Sequence, residues 1–166
     1  MKRRIALLLA TAMVLSLAAC GKKEQRKETL PAETVPATES QPTEPLIPIS
    51  YYYGDENAEH LVRAEGEIPE LTAQNLIDLL ARRNVVPEGI VVWEFYQEDG
   101  ILSLDLSHEF GDAASQMGSA GEYIIMGSLI NTFLDAYEAE GLNLTIEGNP
   151  LETGHNIYDF TLKFFE

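Results

Sequence analysis

Past residue 48 the chain switches repeatedly between two hydrophobic periods. Residues 49–54 and 61–68 are short strand-like runs on either side of Gly54-Asp55-Glu56-Asn57, which predicts a hairpin. Ala73, Leu76, Ile77 and Leu80 then recur at helical spacing, with Thr72 placed to cap the first turn and an end expected near Asn84. Pro87 and Gly89 break the pattern. Val91, Trp93 and Phe95 alternate with Val92, Glu94 and Tyr96, and beyond Asp99-Gly100 the residues Leu102, Leu104 and Leu106 alternate with Ser103, Asp105 and Ser107. Asp-Gly between two alternating runs is the strongest short-range hairpin signal. Strict alternation turns Trp93, the single tryptophan, into the core with Val91 and Phe95, against Leu129 and Phe133, and turns Glu94 and Tyr96 away from it.

The second half repeats the scheme. Residues 111–121 hold Gly111, Gly118 and Gly121 and read as a flexible loop, closed by Ser119-x-x-Glu122, the form of a capping box. A long amphipathic helix follows, with the stripe Met126, Leu129, Ile130, Phe133 and Tyr137, small residues at Gly127 and Ser128 for close packing, and Gly141 at the terminating position. Leu142, Leu144 and Ile146 alternate up to Gly148-Asn149-Pro150, and Tyr158, Phe160, Leu162 and Phe164 alternate again to the C-terminus. The order is ββαββαββ. It predicts an α+β domain in which two helices pack on one face of a mainly antiparallel or mixed sheet. At 118 residues it needs neither metal nor disulfide to stand alone.

The first residues have a different pattern. Lys2-Arg3-Arg4 precedes an apolar run at 5–17, too short for the roughly 20 residues of a membrane span, and the run closes on Leu17-Ala18-Ala19-Cys20. This resembles the bacterial lipobox, which implies residues 1–19 as a lipoprotein signal peptide and Cys20 as the lipidated residue, anchored by its acyl chains to the outer face of the cell membrane. Residues 21–48 are rich in Lys, Glu and Gln and then in Pro, Thr and Glu, without an aromatic side chain. They cannot offset the entropy of ordering and predict a disordered spacer that spans on the order of 25 to 30 Å as a coil. Lys22, Lys23, Arg26 and Lys27 either meet lipid headgroups or are solvated.

Charge narrows the partners. The chain carries 27 acidic and 11 basic side chains, and residues 49–166 carry 22 acidic against 4 basic, a net charge of -18. Nucleic acid is excluded, because phosphate binding needs a basic surface. The single cysteine excludes an intramolecular disulfide, a multi-cysteine zinc site and a redox pair.

Val86-Pro87-Glu88-Gly89-Ile90-Val91, Asp99-Gly100 leading into Leu104-Asp105-Leu106-Ser107-His108-Glu109-Phe110, Ile130-Asn131-Thr132-Phe133 and Leu144-Thr145-Ile146-Glu147-Gly148 together resemble the sporulation and spore germination domain, GerMN. The resemblance covers about 49–150, so the chain divides into a signal at 1–19, a tether at 20–48 and a domain at 49–166, whose stretch from Tyr158 onward has no counterpart in the pattern. It implies an extracytoplasmic, often lipid-anchored domain of Gram-positive bacteria, related in fold to ring-building domains of secretion and sporulation assemblies. Members act in assembly or stabilisation, without established catalytic residues.

The residues themselves point to no reaction. His60, His108 and His155 lack metal-binding spacing, Asp105, His108 and Glu109 form at most a solvated strand end or a cation site, and no serine lies in a nucleophile elbow. No cofactor and no metal is expected. Asn131 and Thr132 interrupt the long helix's apolar stripe; Thr132 is expected to bond back to the carbonyl four residues earlier, and Asn131 to pin the helix to a strand end or to the loop near Asp112. Tyr51, Tyr52 and Tyr53 put aromatic rings on both faces of one strand and are the candidate partner-binding residues. The expected function is that of a non-enzymatic envelope lipoprotein whose domain binds an envelope protein or a second copy of itself. A cell-wall glycan- or cation-binding module is the alternative.

Overall fold

The fold is that of a computed structural model, which describes residues 45–166; the expected signal, Cys20 and the tether up to residue 44 lie outside the described residues. Strands β1 (Ile47–Gly54) and β2 (Leu61–Ile68) form an antiparallel hairpin in full register from Ile47↔Ile68 to Gly54↔Leu61. Its turn is closed by the Asp55 N–H donating to the His60 carbonyl at 2.9 Å and by the Glu59 N–H donating to the Asp55 carboxylate at 2.9 Å. Helix α1 (Ala73–Arg82) starts where the pattern placed it, with Thr72 Oγ1 accepting from the Asn75 N–H at 3.2 Å, and Asn84 (φ 57°) turns the chain out of it.

Strands β3 (Val92–Glu98) and β4 (Ile101–Leu106) pair antiparallel across Asp99 (φ 49°) and Gly100 (φ 78°), the two left-handed residues of a type I′ turn. The expected loop at 111–121 is instead largely helix α2 (His108–Gln116). Its glycine is used for closeness rather than freedom: Phe110, Gly111 and Ala114 are buried, and a Cβ on Gly111 would meet Ile146 and Leu151 at van der Waals distance. The domain therefore has three helices where the pattern predicted two.

Helix α3 (Ser119–Ala136) is the centre of the molecule, buried without interruption from Ile125 to Leu134. It is covered on both sides rather than along one stripe, which is why its apolar positions run together. The hairpin lies on one side: a Cβ at Gly127 would fall 2.5 Å from Leu61 Cδ1, one at Gly54 would fall 2.6 Å from Ile124 Cγ2, and the Tyr52 N–H donates to Thr132 Oγ1 at 3.0 Å. The larger sheet lies on the other, where Phe133 meets Phe95 edge-on at 6.0 Å. Among the described residues no helix is long and apolar enough to cross a membrane.

That sheet has the order β3-β4-β5-β6-β7, with β5 (Gly141–Ile146) parallel to β4 and β6 (Asn149–Glu152) and β7 (Ile157–Tyr158) antiparallel beyond it. The expected α+β class with a mixed sheet holds; the first hairpin, however, is a separate two-stranded sheet. Gly141 does not end α3. Glu138 (φ 50°) takes the left-handed position, and Gly141 opens β5 where a Cβ would sit 2.6 Å from Thr161 Cγ2. Nor does one strand run from 158 to 164. Tyr158 and Leu162 are buried while Phe160 and Phe164 are exposed, and the tail joins β5 at the single Leu142↔Leu162 bridge and through Thr161 Oγ1, which donates to Asn143 at 2.7 Å, before crossing α3.

Candidate functional site

The helices cover one face of the larger sheet and leave the other open. Register places three rows across that open face: Glu94, Asp105 and Thr145; Tyr96, Ser103 and Asn143; Glu98 and Ile101. Between them is a shallow trough of about 340 Å³ lined by Glu94, Tyr96, Ser103, Asp105, Asn143 and Thr145. The Asp105 carboxylate accepts from Thr145 Oγ1 at 2.7 Å and from the Gly148 N–H at 2.9 Å, so it is fixed in place at the end of β4.

Trp93 is not in the core. Val92 pairs with Leu106 and Glu94 with Asp105, so one extra residue is inserted on β3, a β-bulge that cancels the alternation. Trp93 is consequently 59% exposed, and Val91 is also exposed, while Phe95 alone of the three keeps to the core side, against Phe133 and Tyr137. Tyr96, 48% exposed, does face outward as the alternation required. Reasoning from the sequence missed Trp93 as a surface residue. The signal was present in Val91-Val92-Trp93, three apolar residues in succession where a half-buried strand alternates.

The tyrosine triplet is divided. Tyr51 is 8% exposed, with the Arg83 guanidinium 5.5 Å from its ring centre. Tyr53 stands beside it, 5.9 Å between centres, and keeps a solvent-facing ring. Tyr52, on the opposite face, meets Phe164 edge-on at 5.4 Å and donates its hydroxyl to Asp135. His108 reaches Glu147 at 3.3 Å and Glu109 at 3.7 Å, apart from the groups that hold Asp105. A wider groove between β2 and α1 is lined by Pro48, Leu79 and both signs of charge, Glu65 and Glu67 facing Arg82 and Arg83, and so selects no ligand by charge.

Three polar side chains inside the domain, Thr132, Asn131 and Glu122, serve the fold. Thr132 Oγ1 donates to the Ser128 carbonyl at 2.6 Å, the expected back-bond. Asn131 pins the tail rather than the region of Asp112: its amide donates to the Phe165 carbonyl at 2.9 Å and accepts from the Phe165 N–H at 2.7 Å. Glu122 forms no capping box, because Gly118 is the cap and makes no side-chain bond. Its buried carboxylate instead accepts from the Tyr158 hydroxyl at 2.6 Å and from Thr153 and Asn156 at 2.9 Å each. Burial pushes this carboxyl up, but the three hydrogen bonds outweigh burial and hold it below the usual range. Burial, and then the bond and charge of Glu122, push the Tyr158 phenol well above its usual value.

A profile of the Germane family, described as sporulation and spore germination, matches residues 50–152 of the 166. The chain belongs to the Germane family. Its matched span runs from β1 to β6 and so takes in the open sheet face, but not the β7 strand and tail that Glu122 and Asn131 hold. Among solved structures, the tandem GerMN domains of the sporulation protein GerM from Bacillus subtilis share its fold at a TM-score of 0.54 and 12% identity, over 78% of this chain and 48% of that one. The Germane chain thus spans about half the length of that tandem-domain protein. A candidate lipoprotein from Clostridium perfringens aligns with 71% of this chain and 87% of its own at 18% identity and a TM-score of 0.48. No curated protein matches.

Proposed function

We propose that this Germane protein is attached to the outer face of the cell membrane through acyl chains on Cys20 and acts in the envelope, in sporulation or germination, by binding another protein rather than by catalysis. The observation that carries this reading is the uncovered face of β3, β4 and β5 with Trp93 and Tyr96 exposed at it. Large aromatic side chains left in water forgo the stabilisation of burial, and they are the residue types that dominate protein interfaces. Tyr53 on the hairpin adds a second, smaller contact. The charged start, the apolar run and Leu17-Ala18-Ala19-Cys20 support the anchor.

A photo-crosslinking amino acid at position 96 or 93, in cells, should capture one reproducible envelope protein, and the same group at Gly154 should not. Cys20→Ala should shift the protein out of the membrane fraction or leave it as a precursor of higher mass. If nothing is captured and Tyr96→Ala abolishes retention on purified cell wall, the domain is a glycan-binding module instead.

A further inference from the structure

The open face also indicates the chemistry of its partner, an inference that rests on reading the face as a protein-binding surface. β3 is the terminal strand of its sheet. Its first residues are already satisfied: Gln74 accepts from the Val92 N–H at 2.9 Å and donates to the Ile90 carbonyl at 3.0 Å, the two bonds an adjoining strand would make there. Past the bulge, among the described residues, no side chain or strand does the same for Glu94 to Glu98. An open edge of this kind is a template for the main chain of another protein.

Charge selects what that chain carries. Register sets Glu94 directly opposite Asp105, and like charges facing each other across paired strands destabilise a sheet. The four basic residues of 49–166 are engaged elsewhere or remote. Arg63 is paired with Asp135 at 3.2 Å, Lys163 donates to the Glu140 carbonyl at 2.8 Å, Arg83 covers Tyr51, and Arg82 ends α1. Among the described residues, the face therefore holds opposed carboxylates with no cation beside them, next to exposed aromatic rings whose faces attract cations.

We propose that the β3 edge from Glu94 to Glu98 takes up an extended, basic segment of a partner protein by strand addition, with its Lys or Arg side chains set against Glu94 and Glu98 and over Tyr96. Side chains on one face of a strand recur every second residue, and Glu94, Tyr96 and Glu98 share the outward face. The segment accordingly carries basic residues four positions apart with an uncharged residue midway. The same domain from a second copy is disfavoured, since each carries -18 and its basic residues (63, 82, 83 and 163) contain no such pair; in the tether Lys23 and Lys27 have the spacing, so the titration is repeated on the full chain with both replaced by Gln, where peptide binding should be at least as tight.

The test titrates the purified full chain with two short capped peptides, one with the core Lys-Thr-Val-Thr-Lys and one with Glu-Thr-Val-Thr-Glu, read by calorimetry and by Trp93 fluorescence. The basic peptide should bind saturably and more weakly as salt rises, and the acidic one should not bind. Replacing Glu94 and Glu98 together by Gln should weaken binding about tenfold or more, and so should N-methylation of the peptide amides that face β3. Absence of binding, or binding undiminished by either change, overturns the proposal. Crosslinking in cells separates it from the reading beneath it. A partner joined at position 96 through a segment without Lys or Arg sinks this inference and leaves the protein-binding face standing, whereas capture of no protein there removes both.

Discussion

Glu122 stands where a capping carboxylate belongs and serves instead to fasten β6 and β7 to α3. Its three donors come from 31 to 36 residues further along the chain, so the Ser-x-x-Glu spacing revealed the residue but not its partners. Because the folded carboxyl is held below its unfolded value of about 4.3, its contribution to stability is fully present at neutral pH and is lost as pH falls through the folded value. Glu122→Gln should cost on the order of 1 to 3 kcal/mol at pH 7 and should flatten the decline in stability in acid. Thermal unfolding of both proteins between neutral and acid pH measures this. An unchanged acid decline in Glu122→Gln would place its source elsewhere. Thr132 and Asn131 show the same contrast: a back-bond four residues away is legible, a bond to Phe165 across the domain is not.

At the scale of elements, local chemistry was read well and long-range cover was not. Asp99-Gly100 and the Thr72 cap act within their own turns and were legible directly. Helix α2 is hidden in the sequence because Gly111 reads as freedom of the chain, while its lack of a side chain admits Ile146 and Leu151. The open face was half legible, Tyr96 from alternation and Trp93 only through a bulge that reverses it. The bulge yields a paired prediction. Trp93→Ala should change stability by less than about 1 kcal/mol, and native Trp93 emission should lie near that of free tryptophan and be quenched by iodide. Phe95→Ala, two residues on, removes the ring between Phe133 and Tyr137 and should cost about 2 to 4 kcal/mol. Chemical denaturation of the two variants compares them; equal losses would put Trp93 back in the core.

Across the whole molecule, the tail closes the structure. Leu162 is buried beside Leu142, Phe165 lies over Gly127, and Asn131 holds Phe165 at both main-chain atoms. A chain ending at Asp159 should lose on the order of 3 to 5 kcal/mol, seen as a lowered Tm. An unaltered Tm would mean that the tail is a surface appendage.

β4 and β5 lie side by side, yet Ile101 meets Gly141 only after α2 and α3 have been laid between them. The β1-β2 and β3-β4 hairpins close on their own within microseconds but are marginal alone, whereas the central parallel pairing must wait for a long loop to close. Folding is therefore expected to be limited by one event, the joint arrival of α3 and β5 on β4. Leu104→Ala and Leu144→Ala, buried on those two strands, should chiefly slow refolding, and Leu151→Ala on β6 should chiefly hasten unfolding. The two arms of a chevron plot separate these effects and date each part of the domain by when it becomes native.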